Sequence, residues 1–383
     1  MRRPLETMIV LGTRPEVTKL APVALELRRH PGSFHVTLVG TGQHRELVPR
    51  HLRLFGLELD HDLKVMKPRQ TLADITSRTV QRMDLLLNQA RPDVLIVEGD
   101  TTAVLAAALA AFYHQVPVAH VEAGLRSGDM YNPFPEEMNR RLVGGIARIH
   151  LAPTARAREN LLRENVPAEW IYVTGNTAID ALLIATRRRP ARPAVPTSWL
   201  RGKRLVLVTA HRRESWGQGI RDICRALREI ARRFPDVVVV YAVHPNPIVR
   251  EAAEQVLAGE TRVRLIGPPD YAQFVDLMKR AVLILTDSGG IQEEAPSLKK
   301  PVLVMRHTTE RVEGIERGCS ELVGTDPRRI VQRASALLTD PAAYAAMVAK
   351  GNPYGDGKAA ARIRRVLAFH FGLTRRRPAD FRG

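Results

Sequence analysis

The sequence predicts an α/β protein with two doubly wound, Rossmann-like domains that face each other across a cleft. Short apolar runs rich in β-branched residues alternate with longer helical patterns, which is the rhythm of parallel βαβ units. This rhythm occurs in two series, separated by a segment at residues 187–203 that is rich in proline and arginine and has little periodicity. The chain of 383 residues is also long enough for two domains of ordinary size.

The predicted elements, taken in order, define the domain boundaries. The first series places strands at residues 8–11, 36–39, 94–97 and 116–121, and the second at 205–209, 237–243, 263–266, 282–286 and 301–305. We therefore expect an N-terminal domain over residues 1–172 and a C-terminal domain over residues 173–358. A last helix is expected at about residues 359–373, and the basic, proline-bearing tail at 374–383 is expected to be frayed.

Composition narrows the possible classes of protein. The net charge is +18, but only nine of the 58 basic residues are lysines and the arginines are spread along the chain. This favours an anionic small-molecule ligand over nucleic acid or a membrane surface. Cys224 and Cys319 have no metal-ligand spacing and predict neither a disulfide framework nor a zinc site. The longest apolar run, at 103–112, is about half a membrane span, and a cytoplasmic setting fits these features.

Charged residues follow the first strand of the N-terminal series. The motif G-T-R-P-E at residues 12–16 combines a glycine that permits a sharp turn with Arg14, and Lys19 follows one helical turn later. Backbone N–H groups at a helix start favour anions, so these cations indicate a phosphate contact. An exposed turn before a solvated helix face explains the pattern equally well.

Three acidic residues follow strands or precede a helix in the N-terminal domain. Asp100 ends the strand at 94–97, Glu122 ends the strand at 116–121, and Glu136 lies at the entry of a predicted helix. Carboxylates at neighbouring strand ends indicate proton transfer at carbon, which needs acid–base groups on both faces of the reacting centre. The alternative roles are helix capping for Asp100 and helix-dipole stabilisation for Glu136.

The C-terminal series supplies groups that suit a nucleotide. His211 and Arg212 end its first strand, and His244 ends the next. The strand at 282–286 runs into D-S-G-G-I-Q-E-E-A at residues 287–295, where the glycines let the backbone approach a diphosphate. Glu294 is a natural acceptor for two ribose hydroxyls, and the cations around Arg311 follow the next strand.

With these motifs in order, the sequence resembles the bacterial non-hydrolysing UDP-N-acetylglucosamine 2-epimerases. The similarity runs from Gly12 to about Ile363. It rests on these motifs: G-T-R-P-E at Gly12, G-D-T-T at Gly99, H-V-E-A-G-L-R at His120, P-E-E-M-N-R at Pro135, T-G-N-T at Thr174, H-R-R-E at His211, D-S-G-G-I-Q-E-E-A-P-S at Asp287, T-T-E-R at Thr308 and N-P-Y-G-D-G at Asn352. One departure is Glu98, which stands where many relatives carry histidine or glutamine.

The resemblance implies a glycosyltransferase-B fold whose last helix crosses back to the first domain. It implies reversible conversion of UDP-N-acetylglucosamine to UDP-N-acetylmannosamine, by elimination of UDP to 2-acetamidoglucal and re-addition. Asp100, Glu122 and Glu136 match the family's acid–base carboxylates, and His211 matches the group that assists UDP departure. The family's nucleotide contacts correspond to Arg14, Lys19, Ser288, Gly289, Gly290, Glu294 and Arg311, with Phe274 against the uracil.

The resemblance also implies a homodimer, a role in cell-surface polysaccharide synthesis and activation by a second UDP-N-acetylglucosamine. The regulatory segments contain Gln43, Arg69, Gln70, Arg212 and His244. No metal is expected, and no nicotinamide cofactor either, because no G-x-G-x-x-G follows the first strand. Two alternatives stay open: a UDP-sugar-dependent glycosyltransferase of the same fold, and a hydrolysing epimerase that releases free UDP.

Overall fold

The computed structural model describes residues 3–43 and 47–383. The chain divides into two compact units: unit 1 comprises Met1–Ile184 and Tyr354–Gly383, and unit 2 comprises Ala185–Pro353. The boundary lies after Ile184, beyond the predicted boundary at residue 172. Within the described ranges, no helix is both long and apolar enough to cross a bilayer.

Unit 1 is built on a seven-stranded parallel sheet in the order β3-β2-β1-β4-β5-β6-β7. Its strands are β1 (Leu5–Leu11), β2 (Phe34–Gly40), β3 (His61–Asp62), β4 (Val94–Glu98), β5 (Val118–Val121), β6 (Ile149–Ala152) and β7 (Ile171–Val173). The central strands are continuously apolar because helices cover both faces of the sheet. Every residue of β4, β5 and β6 is buried.

The helices of unit 1 connect these strands. They are α1 (Arg14–Arg28), α2 (Leu47–Phe55), α3 (Leu72–Ala90), α4 (Thr102–Tyr113), α5 (Glu136–Ile146), α6 (Ala155–Arg163) and α7 (Thr177–Thr186), with a 3₁₀ turn at Ala168–Trp170. α7 begins in unit 1 and runs across the boundary to unit 2. This continuity explains why the unit boundary lies later in the chain than the strand pattern predicts.

Unit 2 repeats the doubly wound plan with a six-stranded parallel sheet in the order β10-β9-β8-β11-β12-β13. Its strands are β8 (Arg204–Thr209), β9 (Val237–Ala242), β10 (Val263–Ile266), β11 (Ala281–Thr286), β12 (Val302–Val304) and β13 (Ser320–Leu322). Its helices are α8 (Thr197–Leu200), α9 (Gln218–Arg233), α10 (Pro247–Leu257), α11 (Tyr271–Arg280), α12 (Gly289–Glu294), α13 (Val312–Arg317), α14 (Pro327–Thr339) and α15 (Pro341–Val348). Two 3₁₀ turns lie at Arg213–Ser215 and Ala295–Leu298. The fold class is therefore α/β with two Rossmann-like parallel sheets, as predicted.

In each sheet the strand order reverses at one point. The reversal lies between β1 and β4 in unit 1, and between β8 and β11 in unit 2. In open α/β sheets, ligands bind outside the carboxyl ends of the strands at this switch point. The loops that follow these four strands are therefore the places to look for a site.

Strands β6 and β7 complete unit 1, although the sequence pattern did not indicate them. β6 contains His150, whose polar side chain interrupts the apolar run, and β7 has only three residues. His150 is nevertheless fully buried and pairs in register with His120 of β5. Short strands of this kind are recognisable only from their ladder partners.

The C-terminal segment returns to unit 1. The last helix, α16 (Ala359–His370), packs against α1, and Arg364 donates to Glu26 at 2.9 Å. The tail is not frayed as expected: Phe381 N–H donates to Val173 O at 2.7 Å, and Val173 N–H donates to Asp380 Oδ1 at 2.9 Å. β7 is an edge strand, so the sheet provides no neighbouring strand for its outer backbone groups. The tail supplies hydrogen-bond partners for these groups.

Candidate active site

The loop after β1 carries a cation on its surface and a carboxylate beneath it. Arg14 is exposed and begins α1. Glu16 is 2% exposed and accepts from Gly12 N–H at 2.6 Å and from the Thr13 hydroxyl at 2.8 Å. Burial raises the pKa of Glu16 to about 7, although these hydrogen bonds oppose the shift. Sequence reasoning missed Glu16, since a glutamate in the first turn of a helix is ordinarily solvated.

Lys19 joins two carboxylates that follow neighbouring strands. Its Nζ lies 2.8 Å from Glu98 Oε1 and 2.5 Å from Glu122 Oε2. Burial, together with the charge of Glu122, raises the pKa of Glu98 well above its ordinary value, and Lys19 acts in the opposite direction. The ammonium of Lys19 thus lies within the carboxylate cluster, while its role as a nucleotide contact stays a prediction.

Glu122 is held in an unusual backbone conformation at the end of β5. Its φ is +62°, in the left-handed region that residues other than glycine rarely adopt. Besides Lys19, its Oε2 accepts from Asn176 Nδ2 at 3.2 Å. Asn176 was not among the predicted site residues, although it belongs to the T-G-N-T motif. Such outliers concentrate at functional sites, which supports the predicted role of Glu122.

Asp100 follows β4 and is fixed by α5. Arg140 Nε and Nη2 both donate to Asp100 Oδ2, at 2.8 and 2.6 Å. Asn139 Nδ2 donates to the backbone carbonyl of Asp100 at 2.8 Å. The cap of α4 is the hydroxyl of Thr101, which accepts from Val104 N–H, so Asp100 does not have the capping role. Arg140 and Asn139 therefore fix the side chain and the backbone of Asp100, respectively.

α5 begins with two adjacent glutamates that differ in burial and in their contacts. Glu136 is half-buried at the first helical position. Glu137 is fully buried, lies 2.9 Å from Arg140 Nη1 and accepts from Ser127 N–H at 3.0 Å. Glu137 therefore fixes Arg140, which in turn holds Asp100. The sequence pattern could not distinguish this function of Glu137 from that of the adjacent Glu136.

A buried histidine lies behind the strand ends. His120 on β5 is 1% exposed, and its Nε2 donates to Gly99 O at 2.8 Å. Burial lowers the pKa of His120 to about 3, with the hydrogen bond to Gly99 opposing. The ring is therefore neutral, and it fixes the peptide that lies between Glu98 and Asp100.

In unit 2, the predicted His211 is oriented by a carboxylate that sequence reasoning missed. Asp287 is fully buried at the end of β11, and its Oδ1 lies 3.0 Å from His211 Nδ1. Its Oδ2 accepts from the backbone N–H groups of His211 and Arg212, at 2.6 and 2.7 Å. Burial raises the pKa of Asp287, but His211 and these N–H groups outweigh it and keep the pKa below its ordinary value. This contact orients the imidazole of His211, the residue predicted to assist UDP departure.

The Ser-Gly-Gly turn directly after Asp287 is closely packed. Ser288 precedes α12, and its N–H donates to the hydroxyl of Thr286 at 3.0 Å. A Cβ on Gly289 would lie 3.2 Å from Cζ of Arg311, so any other residue would require Arg311 to shift by a few tenths of an ångström. Gly290 has no atom within 4 Å of its Cβ position, which leaves room for a ligand against the backbone.

The remaining predicted residues of unit 2 border this turn. Arg311 Nε donates to Glu293 Oε1 at 2.7 Å, and Glu294 accepts from the hydroxyl of Tyr271 at 3.0 Å. Phe274 is half-buried on α11. Glu310 lies among cations: burial raises its pKa, but Arg311 and Arg306 outweigh this and lower it to about 2. A dense arginine cluster of this kind suits a diphosphate.

The predicted regulatory residues are distributed over both units. In unit 1, Gln43 Oε1 is buried and has no hydrogen-bond partner among the described residues, Gln70 accepts from Lys67 N–H at 2.8 Å, and Arg69 is exposed with a φ of +55°. In unit 2, the ring of His244 stacks on that of His211, with centroids 5.8 Å apart. Arg212 lies beside His211, and its Nε is buried without a hydrogen-bond partner in the described part of the chain.

The two units thus offer complementary chemistry. The switch point of unit 1 presents carboxylates that an ammonium and a guanidinium hold in place, and these can transfer protons. The switch point of unit 2 presents a glycine turn, arginines and a histidine, which can bind a diphosphate. Over residues 3–43 and 47–383, no three histidine, cysteine or acidic side chains are grouped to hold a metal ion.

Comparison with known proteins gives consistent results. The sequence profile of the UDP-N-acetylglucosamine 2-epimerase family matches residues 25–368. The UDP-N-acetylglucosamine 2-epimerase of Bacillus subtilis (strain 168) is 50% identical over 380 residues, covering 99% of both chains. A solved UDP-N-acetylglucosamine 2-epimerase has a TM-score of 0.92 and 47% identity over the full length of both chains. The UDP-GlcNAc 2-epimerase from Neisseria meningitidis, solved bound to UDP-GlcNAc, has a TM-score of 0.85 and 42% identity, covering 95% of this chain and 99% of that one.

Proposed function

Because the chain belongs to the UDP-N-acetylglucosamine 2-epimerase family and interconverts UDP-N-acetylglucosamine and its 2-epimer, we propose that it works by elimination and re-addition of UDP. In the first half, a carboxylate takes the proton from C2 while the C1–O bond breaks with its electron pair leaving on UDP. A C1–C2 double bond forms, giving 2-acetamidoglucal. In the second half, a proton returns to the opposite face of C2 and a UDP oxygen attacks C1.

Unit 1 performs the proton chemistry. The observation that carries this proposal is the pair of fixed carboxylates at the ends of adjacent strands: Glu122 on Lys19, and Asp100 on Arg140. Glu136 at the start of α5 supplies a third group. An inverting enzyme needs acid–base groups on both faces of C2, and each such group contributes about 10²–10⁴-fold.

Unit 2 holds UDP before and after the C1–O bond breaks. The Ser288–Gly290 turn and Arg311 receive the diphosphate, while Glu294 accepts from the ribose hydroxyls and Phe274 lies against the uracil. His211, oriented by Asp287, assists UDP departure. Retention of UDP matters, because a lost leaving group would turn epimerisation into hydrolysis.

Incubation with UDP-N-acetylglucosamine in deuterated water tests this mechanism. We expect deuterium at C2 of both epimers with the UDP-sugar intact, because the abstracted proton exchanges before the glucal is reprotonated. The measurement is ¹H NMR of the C2 signal, with UDP quantified in the same sample. Stoichiometric free UDP would show the hydrolysing alternative, and absence of deuterium without an added acceptor would favour the glycosyltransferase.

The chemistry of the reaction indicates its cofactor requirement and its place in the cell. Elimination and re-addition leave the oxidation state of the sugar unchanged, so we propose that neither a nicotinamide nor a metal is required. The two cysteines are free and buried, which fits a reducing cytoplasm. The product, UDP-N-acetylmannosamine, is an activated amino sugar, and we place the enzyme in the supply of cell-surface polysaccharide synthesis.

A second UDP-N-acetylglucosamine acting as activator is a further part of the proposal. Among the described residues, Gln43 Oε1 and Arg212 Nε are buried without a hydrogen-bond partner, and a ligand would supply one. Arg69, Gln70 and His244 complete the set that the family resemblance indicates. The support consists of these two polar groups and of that resemblance.

We further propose a homodimer, formed through the outer faces of α3, α4 and α5. These helices pack side by side and expose large apolar side chains, including Leu85 (64% exposed), Phe112 (59%) and Leu142 (43%). Tyr113 of α4 and Met138 of α5 are exposed as well. Exposed large apolar side chains concentrated on neighbouring helices mark an association site, and a second copy of the chain is the simplest occupant.

Leu85→Arg is expected to dissociate the dimer, because it places a charge within the apolar face. Sedimentation velocity at micromolar concentration should show the wild type at twice the 42.7 kDa chain mass and the variant at the chain mass. Ile248→Arg is the matched control, since Ile248 is 50% exposed on α10 in unit 2. A monomeric wild type, or a Leu85→Arg variant that stays dimeric, would contradict this interface.

A further inference from the structure

We propose that Asn176 is a positioning residue for Glu122, with the two ends of its carboxamide performing separate tasks. Oδ1 accepts from Ala178 N–H at 2.9 Å and so caps the first turn of α7. Nδ2 donates to Glu122 Oε2 at 3.2 Å. The inference rests on the proposed role of Glu122 in proton transfer, and it adds a residue that contacts the carboxylate from a distant segment of the chain.

The backbone around Asn176 is firmly fixed, so its side chain is a rigid support. Asn176 is 3% exposed, and its N–H donates to Tyr354 O at 2.7 Å. Gly355 packs so closely here that a Cβ would lie 3.0 Å from Ile179 Cγ1 and 3.2 Å from Asn176 O. Asn176 therefore connects Glu122 to the point where the chain re-enters unit 1.

Glu122 needs such support more than an ordinary strand-end residue does. Its left-handed backbone, with a φ of +62°, persists only where surrounding contacts fix it. Asn176 and Lys19 approach the same atom, Oε2, at 3.2 and 2.5 Å. Two donors on one oxygen define the rotation of the carboxylate plane, which a single ion pair to a flexible lysine would leave variable.

Charged groups on three elements act on Glu122. Lys19 projects from α1 and Glu98 from β4, and Arg140 of α5 acts on Glu122 through its electrostatic field. Asn176 and the ring of His120 on β5 are neutral. A charge introduced at position 176 therefore changes the electrostatic balance at Glu122 directly.

Asn176→Asp tests the inference, because aspartate keeps the oxygen that caps α7 and replaces the donor with a second carboxylate oxygen. We expect kcat to fall about 10- to 100-fold, the usual consequence of losing a hydrogen bond to a charged group. We also expect the acidic limb of the pH profile of kcat/KM to move up by about one pH unit, because like charges disfavour ionisation. The thermal midpoint should stay near that of the wild type.

Two further variants keep the test decisive. Asn176→Ser preserves a capping oxygen but cannot reach Glu122, so kcat should fall without the upward shift of the limb. Asn160→Asp is the matched control: Asn160 Nδ2 donates to Gly124 O at 2.9 Å in the same loop rather than to the Glu122 carboxylate, and its acidic limb should not move.

The outcomes separate this inference from the proposed mechanism. Wild-type deuterium exchange with unimpaired kcat in both Asn176→Asp and Asn176→Ser overturns the role of Asn176 alone. An equal limb shift in Asn160→Asp also overturns it, because the effect would then be a general one of charge in the loop. Wild-type turnover in Glu122→Gln overturns the role of Glu122 and this inference with it.

Discussion

Replacing Glu122 by glutamine is expected to lower kcat by about 10²–10⁴-fold while UDP binding stays nearly unchanged. The glutamine side chain has the same shape but can neither take a proton from C2 nor return one. Its carboxamide also gives up the ion pair with Lys19, whose Nζ lies 2.5 Å from Glu122 Oε2. UDP affinity should be retained because the proposed diphosphate contacts, Ser288–Gly290 and Arg311, lie in unit 2.

The measurement combines coupled epimerisation kinetics with UDP titration by calorimetry. Glu164→Gln is a suitable control, since Glu164 pairs with Arg126 in unit 1 at 2.5 Å and has no assigned part in catalysis. Its kcat should remain close to the wild-type value. Turnover of Glu122→Gln within a few-fold of the wild type would remove Glu122 from the mechanism.

Gly124→Ala is expected to destabilise unit 1 by about 2–5 kcal/mol. The residue has a φ of +89°, which costs a side-chain-bearing residue about 1–2 kcal/mol. Its Cβ would also overlap the carbonyl oxygen of Ala157 and lie 2.9 Å from Leu161 Cγ on α6, and overpacking of this kind adds about 1–3 kcal/mol. Both neighbours belong to a packed helix and cannot move aside cheaply. Urea unfolding followed by circular dichroism measures the effect.

Gly128→Ala separates the two contributions. Gly128 has a similar φ of +85°, but no atom lies within 4 Å of its Cβ position. Gly128→Ala should therefore destabilise the protein only by the cost of the left-handed backbone conformation, about 1–2 kcal/mol. Equal destabilisation by the two variants would show that the contact with α6 is not what requires glycine at position 124.

Much of the fold could be predicted from the strand pattern. The apolar runs at the cores of β1, β4, β8 and β11 are recognisable because parallel strands are buried on both faces. β6 and β7 were missed because one contains His150 and the other has three residues. The docking of the tail on β7 could not be predicted either, since it depends on which strand lies at the sheet edge.

The candidate site likewise has features that the sequence predicts and features that it does not. The sequence by itself determined which residues follow the strands at or next to each switch point, because the parallel strands of a doubly wound sheet bring their carboxyl ends to one edge. That was enough to select Asp100, Glu122 and His211, and the family resemblance assigned the reaction.

Only the tertiary structure decided which partner each of these groups has. Lys19, predicted to contact the nucleotide, lies between Glu98 and Glu122, and the buried Asp287 orients His211. Asn176 reaches Glu122 from more distant sequence. Such contacts join residues far apart in the chain, and their geometry depends on side-chain direction and on burial within a packed interior. The local sequence pattern contains no information on side-chain direction or burial. The protonation and orientation of the site residues are therefore properties of the folded chain.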